Sequence, residues 1–165
     1  MLALRRKSRE VRVGDVVVGG EATISVQSMT NTDTRDEKST MRQIVELSDA
    51  GCDIVRVAVP DREAAQVLPS LCRSSPVPLV ADIHFDYRLA LMAVEAGVAA
   101  LRLNPGNIGG PERVRKVALA AKERGIPIRI GVNAGSLEKD IRDQYGGISA
   151  AAMVISALKQ AALLE

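Results

Sequence analysis

Short apolar runs and longer amphipathic runs alternate along this chain. The stretches TISVQSM, DIVRVAVP, PLVADIHF, AALRLNPG and PIRIGVNAG are rich in β-branched and aliphatic residues and too short for helices, so they are predicted strands. Between them lie TRDEKSTMRQIVELSDAG, DREAAQVLPSLCRSS, DYRLALMAVEAG and PERVRKVALAAKERG, whose apolar residues recur at helical spacing. Boundary residues support this division. Thr34 and Glu37 are spaced as a capping box, Asp61 and Asp86 stand where N-caps belong, and Pro111 suits a first helical position. Gly51, Gly97 and Gly125 follow the last periodic residues of three helices, the place of a C-terminal stop. Ahead of the series, VRVGDVVVGG predicts a β-hairpin over about residues 10–21, turning at Gly14-Asp15, after a short exposed arm over 1–9. SLEKDIRDQYGG reads as a helical turn or loop, and ISAAAMVISALKQAALLE as a final helix.

Strands begin near residues 24, 54, 78, 100 and 127, roughly every 22–30 residues, the pitch of βα units on a parallel sheet. Eight such units in about 250 residues make a (β/α)8 barrel. The expected fold is therefore α/β of the (β/α)8 TIM-barrel type, cut after about five βα units: the 165 residues end where a sixth strand is due. Residues 1–165 are read as one partial barrel domain.

Three of the strands each carry one arginine among aliphatics: Arg56, Arg102 and Arg129. Side chains two apart on a strand share a face. Arg102 thus goes with Asn104, Arg129 with Gly131 and Asn133, Asp82 with His84, and Arg56 with Ala58. In a barrel the other face meets the helices, so these polar groups are expected at the axis, toward the C-terminal strand ends where such folds keep their sites. Pairing each arginine with a buried carboxylate is the structural alternative. Yet these faces offer only Asp82 against three guanidinium groups, a surplus of two positive charges that an anionic ligand would balance. Guanidinium forks fit phosphate oxygens bidentately. The loops add less: NPGNIGG leads into a helix N-terminus but matches no phosphate-loop pattern, NAGS offers backbone N–H groups with Ser136, and QSMTNTDT supplies Gln27, Thr30, Asn31 and Thr32. His84 is the only histidine, and beside Asp82 it could relay a proton or serve as a hydrogen-bonded structural group.

Composition narrows the function classes. The chain is 47% hydrophobic and 25% charged with one Phe, two Tyr and no Trp, so the core is aliphatic and stacking platforms for nucleic acid are lacking. The net charge of +2 is small and mixed. No apolar run approaches the roughly 18 residues of a membrane span, and MLALRRKSRE has no apolar segment typical of a secretory signal. Cys52 and Cys72 suggest no disulfide framework and suit a reducing cytoplasm; both read as small core fillers, and no metal site is predicted.

VQSMTNTDT, VRVAVP, ADIHFDYRLAL, LRLNPGNIG and RIGVNAGSLEKDI, in that order, closely resemble the N-terminal barrel domain of the 4-hydroxy-3-methylbut-2-en-1-yl diphosphate synthases, over about residues 8–165. The resemblance implies an oxidoreductase of isoprenoid biosynthesis, in the methylerythritol phosphate route. Its members reductively convert 2-C-methyl-D-erythritol 2,4-cyclodiphosphate to 4-hydroxy-3-methylbut-2-enyl diphosphate with two electrons. It implies Arg56, Arg102 and Arg129 as diphosphate ligands, joined by Asn104 and Asn133, which orient the substrate. Asp82 and His84 would line the polar pocket, completing with the two asparagines the candidate catalytic set. The family's [4Fe–4S] cluster belongs to a C-terminal iron–sulfur domain, and neither that domain nor its ligands is found in this sequence. The chain alone is accordingly expected to be inactive. Flavodoxin or ferredoxin is the implied reductant, and a cytoplasmic homodimer the implied full-length assembly. A different phosphate-binding barrel enzyme, pteroate-synthase-like, or a non-catalytic binding module are the alternatives.

Overall fold

The computed structural model describes residues 6–104 and 107–164. The first five residues of the expected arm lie outside the described residues; Arg6 to Glu10 are exposed and without regular structure. Strands β1 (Val11–Val13) and β2 (Val16–Val18) pair antiparallel with Val13 opposite Val16. The hairpin turns through Gly14, whose φ of 61° lies in the left-handed region that glycine enters without steric cost.

Five parallel strands follow in sequential order: β3 (Gln27–Met29), β4 (Ile54–Ala58), β5 (Leu79–Ile83), β6 (Ala100–Leu103) and β7 (Ile128–Ile130). Helices α1 (Glu37–Asp49), α2 (Arg62–Ser74), α3 (Tyr87–Ala96) and α4 (Pro111–Glu123) connect them. Beyond β7 come a 3-10 turn (Ala134–Ser136), α5 (Lys139–Gln144) and α6 (Ala150–Ala162). The sequential parallel order is the one the repeat predicts, because crossovers between parallel neighbours are right-handed and short.

The two faces of the sheet bury different things. Val55, Val57, Leu79, Ala81, Ile83, Leu101 and Leu103 turn toward the helices and join one aliphatic cluster with Ile44, Leu68, Leu71, Ala90, Val94 and Val117. Residues of the other parity look inward. At the strands' N-terminal ends Ile54, Val80 and Ala100 close against Val13 of the hairpin, forming a second small core. The hairpin is thus a stopper beneath the arc. The arc is strongly curved: Arg129 Nη1 on β7 donates to Gln27 Oε1 on β3, 2.8 Å away, from one edge strand to the other.

Local signals fared unevenly. Asp61 and Asp86 cap α2 and α3 by accepting from Ala64 N and Arg88 N, Pro111 opens α4, and Gly51, Gly97 and Gly125 all have positive φ. The capping box does not form. Helix α1 starts at Glu37, so that residue stands at the first helical position, and Asp36 accepts from Ser39 N at 3.0 Å; Thr34 is buried instead. The first strand is also shorter than TISVQSM suggests. Ile24 lies ahead of β3 and is 82% exposed, and Val26 N is held by the Asp53 carboxylate at 2.7 Å. SLEKDIRDQYGG resolves into a short helix, α5, and Ser149 caps α6 by accepting from Ala152 N at 3.2 Å.

Leu101 sits fully buried on the helix-facing side of the central sheet, whereas Lys116 is exposed on α4. Leu101→Ala should cost about 2–5 kcal/mol in urea unfolding through lost transfer energy and a residual cavity, and Lys116→Ala less than about 0.5 kcal/mol.

Candidate functional site

The register of the sheet brings the inward polar residues together. Ala58 is aligned with Asp82, Asp82 with Arg102, and Arg102 with Arg129. Met29 aligns with Arg56 and Arg56 with Val80, which puts Arg56 one layer lower on its strand. Below this tier lie the apolar residues of the hairpin stopper, so the charges occupy the end of the arc toward the strands' C-termini.

Asp82 is the hub. It is 4% exposed and takes three partners: Arg102 Nη1 at 3.0 Å on Oδ1, His84 Nε2 at 3.2 Å on the same oxygen, and Arg56 Nε at 3.4 Å on Oδ2. Arg56 Nε also lies 3.2 Å from the Met29 sulfur. The two arginine side chains are 18% and 26% exposed for Arg102 and Arg56, so their forks still reach solvent in the concavity. Arg129 is exposed and bonds the neutral Gln27 amide. Structural pairing is therefore met for two arginines, by one shared carboxylate, and the surplus of two positive charges within this group stands.

His84 is half-exposed, its ring edge-on to Phe85 with centroids 5.9 Å apart. Asn104 is buried just past β6, and its carbonyl accepts from Asn107 N at 2.9 Å. Asn133 lies beyond the end of β7, where its Oδ1 accepts from Gly135 N at 2.9 Å and opens the 3-10 turn. Pro105 and Gly106 of the NPGNIGG loop lie outside the described residues. The polar residues after β3 do turn chemistry: Asn31 and Gln43 bond each other twice, and Thr32 meets Thr40 at 2.8 Å. On the rim Arg35 grips Asp33 and reaches Asp61, and Arg88 grips Asp86. Those arginine hydrogen bonds hold the Asp33 and Asp86 carboxyls below the usual carboxylate range.

Two contributors were not legible as site residues. Gln27 reads as loop chemistry, and its role depends on sheet curvature that brings together positions 102 apart in sequence. Met29 carries no chemical signal in the sequence, and only the β3–β4 register sets it beside Arg56. A polar residue at an inward strand position was the one available signal for Gln27.

The residues present do not fit a four-iron cluster, which takes about four ligands, mostly thiolates. Cys52 precedes β4 and Cys72 lies on α2, both half-buried against the outer core. Burial pushes the Cys72 thiol up to about 11, outweighing the opposing pull of Arg73. Among the described residues no group of three His, Cys, Asp or Glu could hold a metal ion, and no helix is long and apolar enough to cross a membrane.

Parallel βα units with their polar side chains gathered at the C-terminal strand ends define a TIM-barrel domain. The chain belongs to the family described as the GcpE TIM-barrel domain, which matches residues 8–165. It is 64% identical over 161 residues to 4-hydroxy-3-methylbut-2-en-1-yl diphosphate synthase (flavodoxin) of Maridesulfovibrio salexigens, covering 98% of this chain and 45% of that one. Proteins of the same name from Ruminiclostridium cellulolyticum and Pseudomonas putida are 58% and 59% identical over 161 residues, with 46% and 44% of their lengths covered. The chain thus spans less than half the length of these relatives. The solved structure of 7,8-dihydropteroate synthase from Vibrio fischeri matches 73% of this chain and 48% of its own at a TM-score of 0.55 and 10% identity, a likeness of fold alone.

Asp82→Asn would leave two guanidinium groups facing each other without a counter-charge. The expected loss is about 3 kcal/mol of stability, as for one partner removed from a buried pair, read by urea unfolding at neutral pH. Retention of wild-type stability would show that solvent, not Asp82, compensates the arginines.

Proposed function

We propose that this chain forms the diphosphate-binding arc of a 4-hydroxy-3-methylbut-2-en-1-yl diphosphate synthase, an oxidoreductase of isoprenoid biosynthesis. The observation that carries the reading is three arginines on the inward strand faces, two of them paired with the single carboxylate Asp82 and the third with the neutral Gln27 amide, supported by 64% identity to a relative of that name. Arg56 and Arg102, held by Asp82, present forks of fixed direction to phosphate oxygens, and Arg129 exchanges its neutral Gln27 partner for the anion. The two surplus charges then meet the two charges of a cyclic diphosphate, in a concavity where water is partly displaced and Coulomb attraction is stronger than in bulk. Asn104 and Asn133 orient the sugar-derived hydroxyls. His84, with Nε2 3.2 Å from Asp82 Oδ1 and its side chain half in solvent, lines the pocket.

The reaction that fits is opening of the cyclic diphosphate of 2-C-methyl-D-erythritol with loss of one hydroxyl as water, taking up two electrons and a proton, with the product keeping both phosphates. Flavodoxin is the electron donor that the relatives' names give, with ferredoxin the equivalent one-electron carrier. The described residues offer no cluster ligands, so the redox step lies outside what this arc performs. A homodimer working in the cytoplasm completes the reading; the absence of a long apolar helix among the described residues is compatible with it.

The test is exchange of residues 8–165 into the matching stretch of the Maridesulfovibrio salexigens relative. The hybrid should convert the cyclodiphosphate with reduced flavodoxin. In it, Arg102→Lys should weaken substrate binding about tenfold by calorimetry, because a point charge cannot replace a bidentate fork, and Lys116→Ala should leave it within about twofold. An inactive hybrid, or equal effects of the two substitutions, would sink the proposal.

A further inference from the structure

Gly131 stands two positions after Arg129, on the inward parity of β7, and nothing in its backbone asks for glycine. Its φ is not among the positive values found at nine other glycines, so an alanine could adopt the same backbone. The demand comes from space. A Cβ built on Gly131 would overlap the Nη2, Nε and Cζ atoms of Arg102, closer than real Cβ atoms approach any neighbour. The guanidinium plane of Arg102 therefore lies across the missing side chain.

Neither partner can step aside freely. Arg102 is fastened on its far side to Asp82 Oδ1 at 3.0 Å, and its side chain is only 18% exposed. Gly131 N donates to Leu103 O at 2.9 Å, continuing the β6–β7 ladder past the last assigned strand residue. Gly109 makes a useful contrast. A Cβ there would also meet an arginine, Arg113, but its φ of 117° already accounts for the glycine, and Arg113 is exposed.

We propose that Gly131 is a positioning residue: a notch at the end of β7 that seats the Arg102 guanidinium, with Nη1 held on Asp82 and Nε and Nη2 lying over the Gly131 backbone where a side chain would stand. The notch fixes the direction of a planar donor set, which is what separates a fork from a point charge. Its part in binding rests on the diphosphate reading above; the seating itself does not.

A double-mutant cycle in the full chain tests both parts, using wild type, Gly131→Ala, Arg102→Ala and the double variant. Without ligand, Gly131→Ala should lower the melting temperature by about 3 °C, and in the Arg102→Ala background by less than about 1 °C, because the clash has gone with the side chain. With inorganic pyrophosphate as probe, calorimetry should show about tenfold weaker binding for Gly131→Ala in the wild-type background and less than about twofold in the other. If Gly131→Ala fails to fold, the double variant should restore folding. Equal melting penalties in both backgrounds, or a double variant as unfolded as the single one, would overturn the notch. Coupled melting without coupled binding would overturn its positioning role. Wild type with no affinity for pyrophosphate would count against the diphosphate reading, while the ligand-free cycle still decides the seating.

Discussion

One buried carboxylate governs the concave face. Three guanidinium groups pointing into a half-closed arc repel one another, and each loses part of its hydration there. Asp82 relieves both problems for Arg56 and Arg102 at once, because its two oxygens lie between them and its own burial keeps the attraction strong. A second carboxylate would neutralise the group further and leave less for an anion to do. None would leave the arginines without a common anchor. The single aspartate is the setting at which the forks are ordered and the face remains positive.

That balance depends on a frame that puts its apolar residues elsewhere. The outer cluster of aliphatics fixes each strand against its helices, and the hairpin fills the lower interior with Val13 against Ile54, Val80 and Ala100. With both apolar layers accounted for, the inward positions near the strand ends are the ones left for charge. Two residues of register separate an apolar floor from an ionic tier, Val80 from Asp82 and Ala100 from Arg102. A barrel can host polar chemistry at one end because its other end is packed like an ordinary core.

Much of this was legible in the chain of letters. Period-two parity placed Arg56, Asp82, Arg102 and Arg129 on one face, since strand geometry leaves no other choice. Sequential parallel order followed from the βα rhythm. Aspartate caps and glycine stops were visible because each rests on a local hydrogen bond or a local φ. What escaped notice was non-local. Arg56 and Arg102 sharing one carboxylate depends on inter-strand register, the Gln27–Arg129 bond on curvature, and the use of Gly131 on where a side chain from the neighbouring strand lies. Thr34 misled for a related reason: its spacing to Glu37 fits a capping box, but the chain enters the helix two residues later, at a residue with equal capping power.

Helix α2 contains Pro69, which has no N–H to give the Ala65 carbonyl one turn earlier, yet the helix runs on to Ser74 because Leu68 and Leu71 are wholly buried beneath it. Cys72 lies just past this interruption, with its thiol held near 11 by burial. At neutral pH only about one such thiol in ten thousand is ionised, and the thiolate is the reacting species. The reactivity of Cys72 toward alkylating reagents rises only as the burial that suppresses the thiolate is relieved.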